Sequence, residues 1–324
     1  MRRLILAMGL FLIVCEFVTG GSLCLAQRYP DRPIQYIVPN VAGSIMDINS
    51  RLFTEDLGKI LGTQVVPVNK PGAATILGTD ALAKSKKDGY TIGYASNSIV
   101  YARILNPETF HFDPDKDIEP LGQHVLLPLA AAVKGDAPWN TFEELIDYAK
   151  KNPGKVRVDT IGIGSPAHFN LEIIQSLTGA KFTHVPFKGG ESVITAILGG
   201  HIEVTIDAVN KIWPQVESKQ MKILLLSTKM ADFPKVPTIT ELGYKQGLVS
   251  TWFAVYTQAG LPEDVKKILI PATEKAINNP ASKAKIENMK LVVEYKAPAD
   301  MKKKVIEEYA AAVEIANKVG LVKK

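Results

Sequence analysis

The sequence predicts an α/β protein of two lobes, each built on a largely parallel sheet with helices on both faces. Three observations predict it. From Tyr29 onward, apolar β-type runs alternate with helical patterns. The alternation comes in two series. No Ser/Gly-rich linker separates them, so the chain crosses between lobes on strand-like segments. The 324 residues give enough length for two such units.

The segment ahead of the first series is of another kind. Arg2 and Arg3 precede an apolar run from Leu4 to Val18, broken only by Glu16, and Cys24-Leu25-Ala26 follows. This is the pattern of an export signal over residues 1–26, with cleavage expected after Ala26. The run is shorter than the roughly 20 apolar residues of a membrane span. Val14 and Leu23 stand where lipid attachment to Cys15 or Cys24 needs a small residue. Cleavage removes both cysteines, which leaves no disulfide, thiolate nucleophile or cysteine metal site. It lowers the formal charge of +5 by one. The lysines are spread along the chain rather than massed with aromatics, so no nucleic-acid footprint is read.

In the first series, "IQYIV" (34–38) reads as a buried strand. Ile48, Leu52, Leu57, Ile60 and Leu61 then approximate one helical face. "QVVPV" (64–68) is a strand, "NKPG" a turn, "ATILGTDALAKS" a short helix, and "YTIGYAS" (90–96) a third strand. Ligands on such sheets bind beyond the carboxyl ends of strands, where the loop "NVAGSIMD" sits. The second series begins with "HVLLPLAAAV" (124–133). "TFEELIDYAKKNP" follows, with Thr141 as N-cap and Glu144 completing a capping box. "KVRVDT" (155–160) leads into "IGIGSPAHFNLEIIQSLTG", a loop and a helix ending at Gly179. "FTHVPF", the helix around "SVITAILGG", "IEVTID" and "KILLLST" continue the alternation. "STWFAVYTQAG" (250–260) is a further strand, Pro262 opens a helical region, and a last amphipathic helix begins at Asp300.

Common catalytic signatures are absent: there is no G-x-S-x-G, no Walker loop and no H-E-x-x-H. His111, His124, His168, His184 and His201 are scattered, with none paired at ligand spacing. Ser165 with His168 offers a nucleophile and base for a secreted enzyme. The same spacing at a helix start serves as a cap and a first-turn residue. What stands out is a Gly/Ser-rich strand-to-helix loop in each series, "NVAGSIMD" and "TIGIGSPAH". Unpaired N–H groups at a helix start carry partial positive charge and suit an anion. Taken singly, each loop reads at least as readily as a plain helix cap.

At these residues the chain resembles the extracytoplasmic solute-binding receptors of tripartite tricarboxylate transporters, the Bug or TctC family. The resemblance runs through "YPDRPIQYIVP", "DINSR", "LGTQVVPVNKPGAA", "KKDGYTIGYAS", "FDPDKDIEPLG", "NPGKVRVDTIGIGSPAHFNLE", "HVPFKGG", "LGGHIEVTID", "VPTITELG" and "WFAVYTQAGLP", in order. It implies a type II periplasmic binding protein-like fold with two interlobe crossovers. Lobe one would take residues 27–126 and 250–324, and lobe two 127–249. It implies a monomeric periplasmic receptor that passes a small carboxylate to membrane permease subunits, with no cofactor, metal or catalysis; the alternative is a receptor that delivers its closed form to a signalling system.

By the same resemblance the ligand carboxylate is held, partly through water, between two sets of residues. Val41, Ala42, Gly43, Ser44 and Asp47 face Thr160, Gly162, Gly164, Ser165 and His168. Asn97 and Ser98 add side-chain contacts, Lys188 lies in the "KGG" loop, and Asp207 matches an acid that meets a distal ligand group. Each has an alternative. Asp47 suits a first helical turn, Lys188 a solvated loop, His168 a local hydrogen bond, and Asp207 a strand-end turn. The chain departs from the family's Ala-Ala-Gly-Gly-Ser-Thr-Asp loop, reading Val41-Ala42-Gly43-Ser44-Ile45-Met46-Asp47, and has Thr257-Gln258 for the usual Ala-Pro. With two hydroxyls replaced by Ile45 and Met46, the ligand is expected to have an aliphatic or aromatic body rather than several carboxylates.

Overall fold

The computed structural model describes residues 29–321 except 161, 164, 188, 189 and 319, and no side chains at 190–192. The export signal, Gly164 and Lys188 therefore lie outside the described residues. The first series forms β1 (Ile34–Val38), α1 (Ile45–Leu61), β2 (Val65–Asn69), a 3₁₀ turn (Ala73–Thr75), α2 (Ile76–Ala83), β3 (Thr91–Ser96), α3 (Ser98–Leu105) and β4 (Ile118–Leu127). The second forms β5 (Leu129–Lys134), α4 (Phe142–Lys151), β6 (Arg157–Thr160), α5 (Pro166–Thr178), β7 (Thr183–Pro186), α6 (Gly190–Leu198), β8 (Val204–Ala208), α7 (Val209–Glu217) and β9 (Met221–Leu226). The chain then returns as β10 (Thr251–Gln258), α8 (Glu263–Ile277), α9 (Pro280–Asn288), β11 (Val292–Lys296) and α10 (Pro298–Lys318).

Two sheets result. Six strands lie in the order β11-β4-β10-β3-β1-β2, and five in the order β7-β6-β8-β5-β9. Alternation along the strands sends side chains to opposite faces. Ile34, Tyr36 and Val38 enter one core while Ile37 enters another. Leu129, Ala131 and Val133 likewise separate from Ala130 and Ala132. Each sheet is thus covered on both faces, as α/β packing requires.

The apolar run at 124–133 is not one strand. Pro128 has no N–H to give a ladder, and it divides the run between β4 in the first sheet and β5 in the second. The link from β9 to β10 makes the other crossover. Ser227 Oγ ties the two together, accepting from Leu129 N at 2.8 Å and lying 2.7 Å from Ser250 Oγ.

Within the first sheet β1, β2 and β3 are parallel, and β10 runs against both β3 and β4. The carboxyl ends of β1 to β4 and the start of β10 therefore share one edge. In the second sheet β6, β7 and β8 are parallel and β5 runs against β8 and β9. The carboxyl ends of β6 to β9 and the start of β5 share an edge there. Both crossovers join these two edges.

Helix α5 belongs to both units. Ala167, Leu171 and Ile174 pack on the second sheet, while Phe169 and Ile173 enter the core of the first. The Phe169 ring lies 4.6 Å from that of Tyr101. Between those faces, the buried Asn170 side chain donates to Val249 O at 2.8 Å and accepts from Val249 N at 2.7 Å. No described helix is long and apolar enough to cross a membrane.

Candidate functional site

The two Gly/Ser loops share one construction. After β1, Gly43 takes φ 78° and Ser44 N bonds back to Val41 O at 3.3 Å. Ser44, at φ −66° and ψ 160°, then caps α1 by accepting from Asp47 N at 3.2 Å. After β6, Gly162 takes φ 127° and Ser165 N bonds back to Gly162 O at 3.3 Å. Ser165, at φ −70° and ψ 159°, caps α5 by accepting from His168 N at 3.2 Å. A glycine at positive φ lets the chain turn without a Cβ clash, and the serine satisfies one orphan N–H of the helix. Each sheet therefore presents a turn and a capped helix N-terminus at its carboxyl edge.

Asp47 holds the first loop from beneath. It is 3% exposed, and its Oδ2 accepts from Gly43 N at 2.9 Å and Arg51 Nε at 3.0 Å. Its Oδ1 accepts from Asn69 Nδ2 at 2.9 Å. Burial raises its pKa, but the bonds from Arg51, Gly43 and Asn69 outweigh this and hold the carboxyl below the ordinary range. The carboxylate thus occupies the Gly43 N–H, and the N–H groups of Ala42, Ile45 and Met46 have no partner among the described residues. Asp47→Ala is expected to cost about 2–3 kcal/mol of unfolding free energy, because it leaves the Gly43, Arg51 and Asn69 donors without their acceptor. Urea denaturation against the parent checks this.

Behind the second loop, the His168 and His184 rings stack at 4.3 Å and 11°. Thr160 Oγ1 lies 2.7 Å from His184 Nε2, and His168 Nε2 lies 3.7 Å from Glu172 Oε1. Burial, then the neighbouring His184, pushes His168 down to about 4; burial also lowers His184. The stack joins positions 16 apart in sequence and was not visible as a spacing pattern. Ser165 Oγ–H donates to Gly162 O at 2.8 Å, so its proton points at a backbone carbonyl rather than at an imidazole. That is cap geometry, not an activated nucleophile.

Where the two edges meet lies a cavity of about 380 Å³, within the range of about 300–1,000 Å³ typical of small-molecule sites. One wall carries Ala74, Ser96, Asn97, Ser98, Tyr101 and Leu105; the other carries Gly162, Ile163, Ser165 and Pro166. No Lys or Arg is among the described lining residues. Ser96 Oγ and Ser98 Oγ lie 2.8 Å apart, and Thr75 Oγ1 bonds to Ser98 Oγ. Ala73, Ala74 and Thr75 hold positive φ of 45°, 51° and 83°, an arrangement that costs L-residues about 1–2 kcal/mol each and gathers at ligand sites.

Of the residues expected from the sequence, Asn97, Ser98, Gly162 and Ser165 come together in this cavity. Val41, Ala42, Gly43 and Ser44 lie at the same sheet edge but outside its lining, with Val41 56% exposed. Thr160 and His168 support the second loop from behind. Asp207 ends β8 at 2% exposure, accepting from Ala208 N at 2.7 Å and Lys211 Nζ at 3.3 Å, and does not line the cavity. Met46 is 1% exposed in the core and Ile45, partly buried, packs against that cluster, and neither lines the cavity. The first turn of α1 faces its sheet, which is why they are apolar. The apolar lining comes instead from Tyr101, Leu105 and Ile163, which sequence reasoning missed. Ile163, an aliphatic residue set between two glycines and 67% exposed, was the available signal.

A larger hollow of about 650 Å³ lies behind the crossovers, lined by Leu126, Ser250 and charged residues of β11 and α10. Lys296 Nζ pairs with Glu294 Oε1 at 2.9 Å and Lys303 Nζ with Glu307 Oε1 at 3.8 Å, while Lys304 Nζ donates to the Gln123 amide oxygen at 2.6 Å. Neither Gly/Ser loop lines it.

Residues 50–321 match the family model described as TctC, tripartite tricarboxylate transporter family receptor. Protein BugT of Bordetella pertussis is 32% identical over 284 residues, covering 87% of this chain and 86% of that protein. A TctC solute binding protein from Polaromonas, solved with no ligand, is 27% identical with a TM-score of 0.81, covering 90% of this chain and 99% of that one. R. palustris Rpa4515, solved with adipate, is 25% identical with a TM-score of 0.73, covering 90% of this chain and 98% of that one.

Proposed function

Because the chain belongs to the TctC family of tripartite tricarboxylate transporter receptors, we propose that it captures a small organic acid with an aliphatic or aromatic body and passes it to the membrane components of such a transporter. The family is one of periplasmic solute-binding receptors rather than enzymes. The observation that carries the reading is the cavity between the facing carboxyl edges, where hydroxyls and a capped helix N-terminus stand among apolar side chains without a lysine or arginine among the described lining residues.

Lobe one is residues 27–126 with 250–324, lobe two is 127–249, and ligand contacts from both favour their closure as a hinge. The carboxylate lies against the N-terminus of α5 beside Ser165, with water linking it to the N–H groups of the first loop that have no partner among the described residues. Hydrogen bonds to a charged group contribute about 1.5–3 kcal/mol each, so a few suffice for the roughly 8 kcal/mol of micromolar binding. The adipate of the R. palustris relative, an acid with an aliphatic body, supports the class. The receptor acts as a monomer in the periplasm, reached through the export signal at 1–26.

A thermal-shift screen of organic acids tests the reading. Benzoate-, nicotinate- and adipate-like acids are expected to raise the melting temperature more than citrate. A clear preference for citrate-like tricarboxylates overturns the ligand class. Stoichiometric conversion of a bound acid to product, in place of its recovery unchanged, overturns the receptor assignment.

A further inference from the structure

We propose that Asn97 reads the ligand through its carbonyl oxygen, so that the receptor selects acids carrying a hydrogen-bond donor, a hydroxyl or N–H, on the body of the molecule. The inference rests on the cavity being the acid site. It follows from where the amide's two protons go. Asn97 Nδ2 donates to Ser250 O at 3.1 Å and to Glu308 Oε1 at 3.2 Å. An amide nitrogen has two N–H groups, so both are occupied. The reverse orientation would set Oδ1 against a main-chain carbonyl and a carboxylate, two acceptors. The hydrogen-bond network therefore fixes which end is which.

The remaining atom is Oδ1. It accepts no hydrogen bond from a described residue, and it is not among the sealed, unpartnered polar atoms of the interior. Asn97 is 1% exposed and the cavity is what it lines, so the small uncovered face of Oδ1 is assigned to that cavity. Glu308, from α10, anchors this geometry: the same Oε1 accepts from Tyr101 OH at 2.8 Å, and Oε2 accepts from Trp252 Nε1 at 2.8 Å. Held at two points, one of them a carboxylate itself fixed by Tyr101 and Trp252, the Asn97 side chain cannot turn to suit a ligand. The Ser96, Ser98 and Thr75 hydroxyls beside it rotate and serve either as donor or as acceptor.

A fixed acceptor repels a carboxylate and attracts a donor. The acid group is thereby directed away from Asn97 toward Ser165 and the α5 N-terminus across the cavity, and the donor group of the ligand meets Asn97. A site built to pair with a donor rejects an analogue that lacks it, because its own polar atom is then left unpaired.

Isothermal titration with benzoate and its 3- and 4-hydroxy and 3- and 4-methoxy derivatives tests this. At one ring position or both, the hydroxy acid is expected to bind about tenfold more tightly than benzoate, and more tightly still than the methoxy acid. Equal or weaker binding of the hydroxy acids at both positions overturns the inference while leaving the acid-receptor reading intact. Binding by none of the five overturns the inference, whereas the acid-receptor reading falls only if the thermal-shift screen of aliphatic and aromatic acids is also negative. Asn97→Leu is expected to abolish the preference for the hydroxy over the methoxy acid. A preference retained in that variant assigns the selectivity to another group and overturns the role of Asn97. Should Asn97→Leu fail to fold, the titrations on the parent protein decide.

Discussion

Asp159→Asn is expected to stabilise the protein above pH 7 and to leave it nearly unchanged near pH 4. Asp159 lies on β6, fully buried. Neither carboxylate oxygen meets hydrogen-bond geometry with a described residue, the Thr205 hydroxyl on the paired strand included. Burial pushes its carboxyl up from 3.8 to about 7; the adjacent Asp207 adds to the rise, while Thr205 and Lys211 oppose it. A raised carboxyl holds its proton in the folded chain where the unfolded chain has lost it. Stability therefore falls as pH rises from the ordinary carboxylate range to about 7, by on the order of 4 kcal/mol in all. Asparagine does not titrate and removes that loss.

The histidines act in the opposite sense. Burial lowers His124 to about 3, and burial together with His184 lowers His168 to about 4. Each then favours folding increasingly as pH rises toward 6.5. His184 is lowered as well, and the raised carboxyls of Asp159, Glu172 and Glu308 oppose the three histidines. Asp159→Asn, with one opposing group removed, is therefore expected to gain more stability than the parent from about pH 4 to 6.5. Melting temperatures of parent and Asp159→Asn from pH 4 to 8 check both statements. A constant difference between the two proteins across that range contradicts the first.

Glu308→Ala is expected to be the most damaging single change in the return segment. It removes the common acceptor of Asn97, Tyr101 and Trp252 and leaves donors at the start of α3, within α3 and on β10 unpaired, at a cost of about 3–5 kcal/mol. Burial raises the Glu308 pKa, although the Trp252, Tyr101 and Asn97 bonds and the nearby Lys304 pull it back. Glu308→Gln keeps an acceptor for Asn97 and Tyr101 and is expected to restore most of the loss. Urea midpoints, with tryptophan emission as a probe of the Trp252 environment, check the series. An Ala variant as stable as the parent contradicts the network.

Much of this was legible in the sequence where the signal is local. The serine caps at Ser44 and Ser165, the Thr141 cap with Glu144 behind it, and the alternating strands all follow from residues within a few positions of one another. In the structure Thr141 Oγ1 accepts from Glu144 N, and the Glu144 carboxylate reaches back to Asn140 N. The miss came where partners are distant. Helix α5 packs in two directions because Phe169 and Ile173 meet a core that residues on either side of its own lobe supply. Periodicity records which face is apolar, not which neighbour covers it. Ile45 and Met46 show the same limit: the residue types pointed to an apolar ligand body, but their side chains turn to the sheet, and Leu105 and Ile163 supply the apolar surface instead. Asn97 shows it most sharply, since its chemistry is set by Glu308, 211 residues away.

The place of β10 in its sheet has a consequence for the order in which the molecule can assemble. It lies between β3 and β4, pairing Phe253 with Ser96, although β5 to β9 are all synthesised in between. The five-stranded sheet is contiguous in sequence and its strands can pair as they emerge. The six-stranded sheet has a gap at its middle until Gln258 has been made. Long-range strand pairing of this kind is slow to form. A nascent chain therefore carries its first 126 residues without a finished sheet through most of its synthesis, and a segment in that condition can still be threaded through a narrow pore.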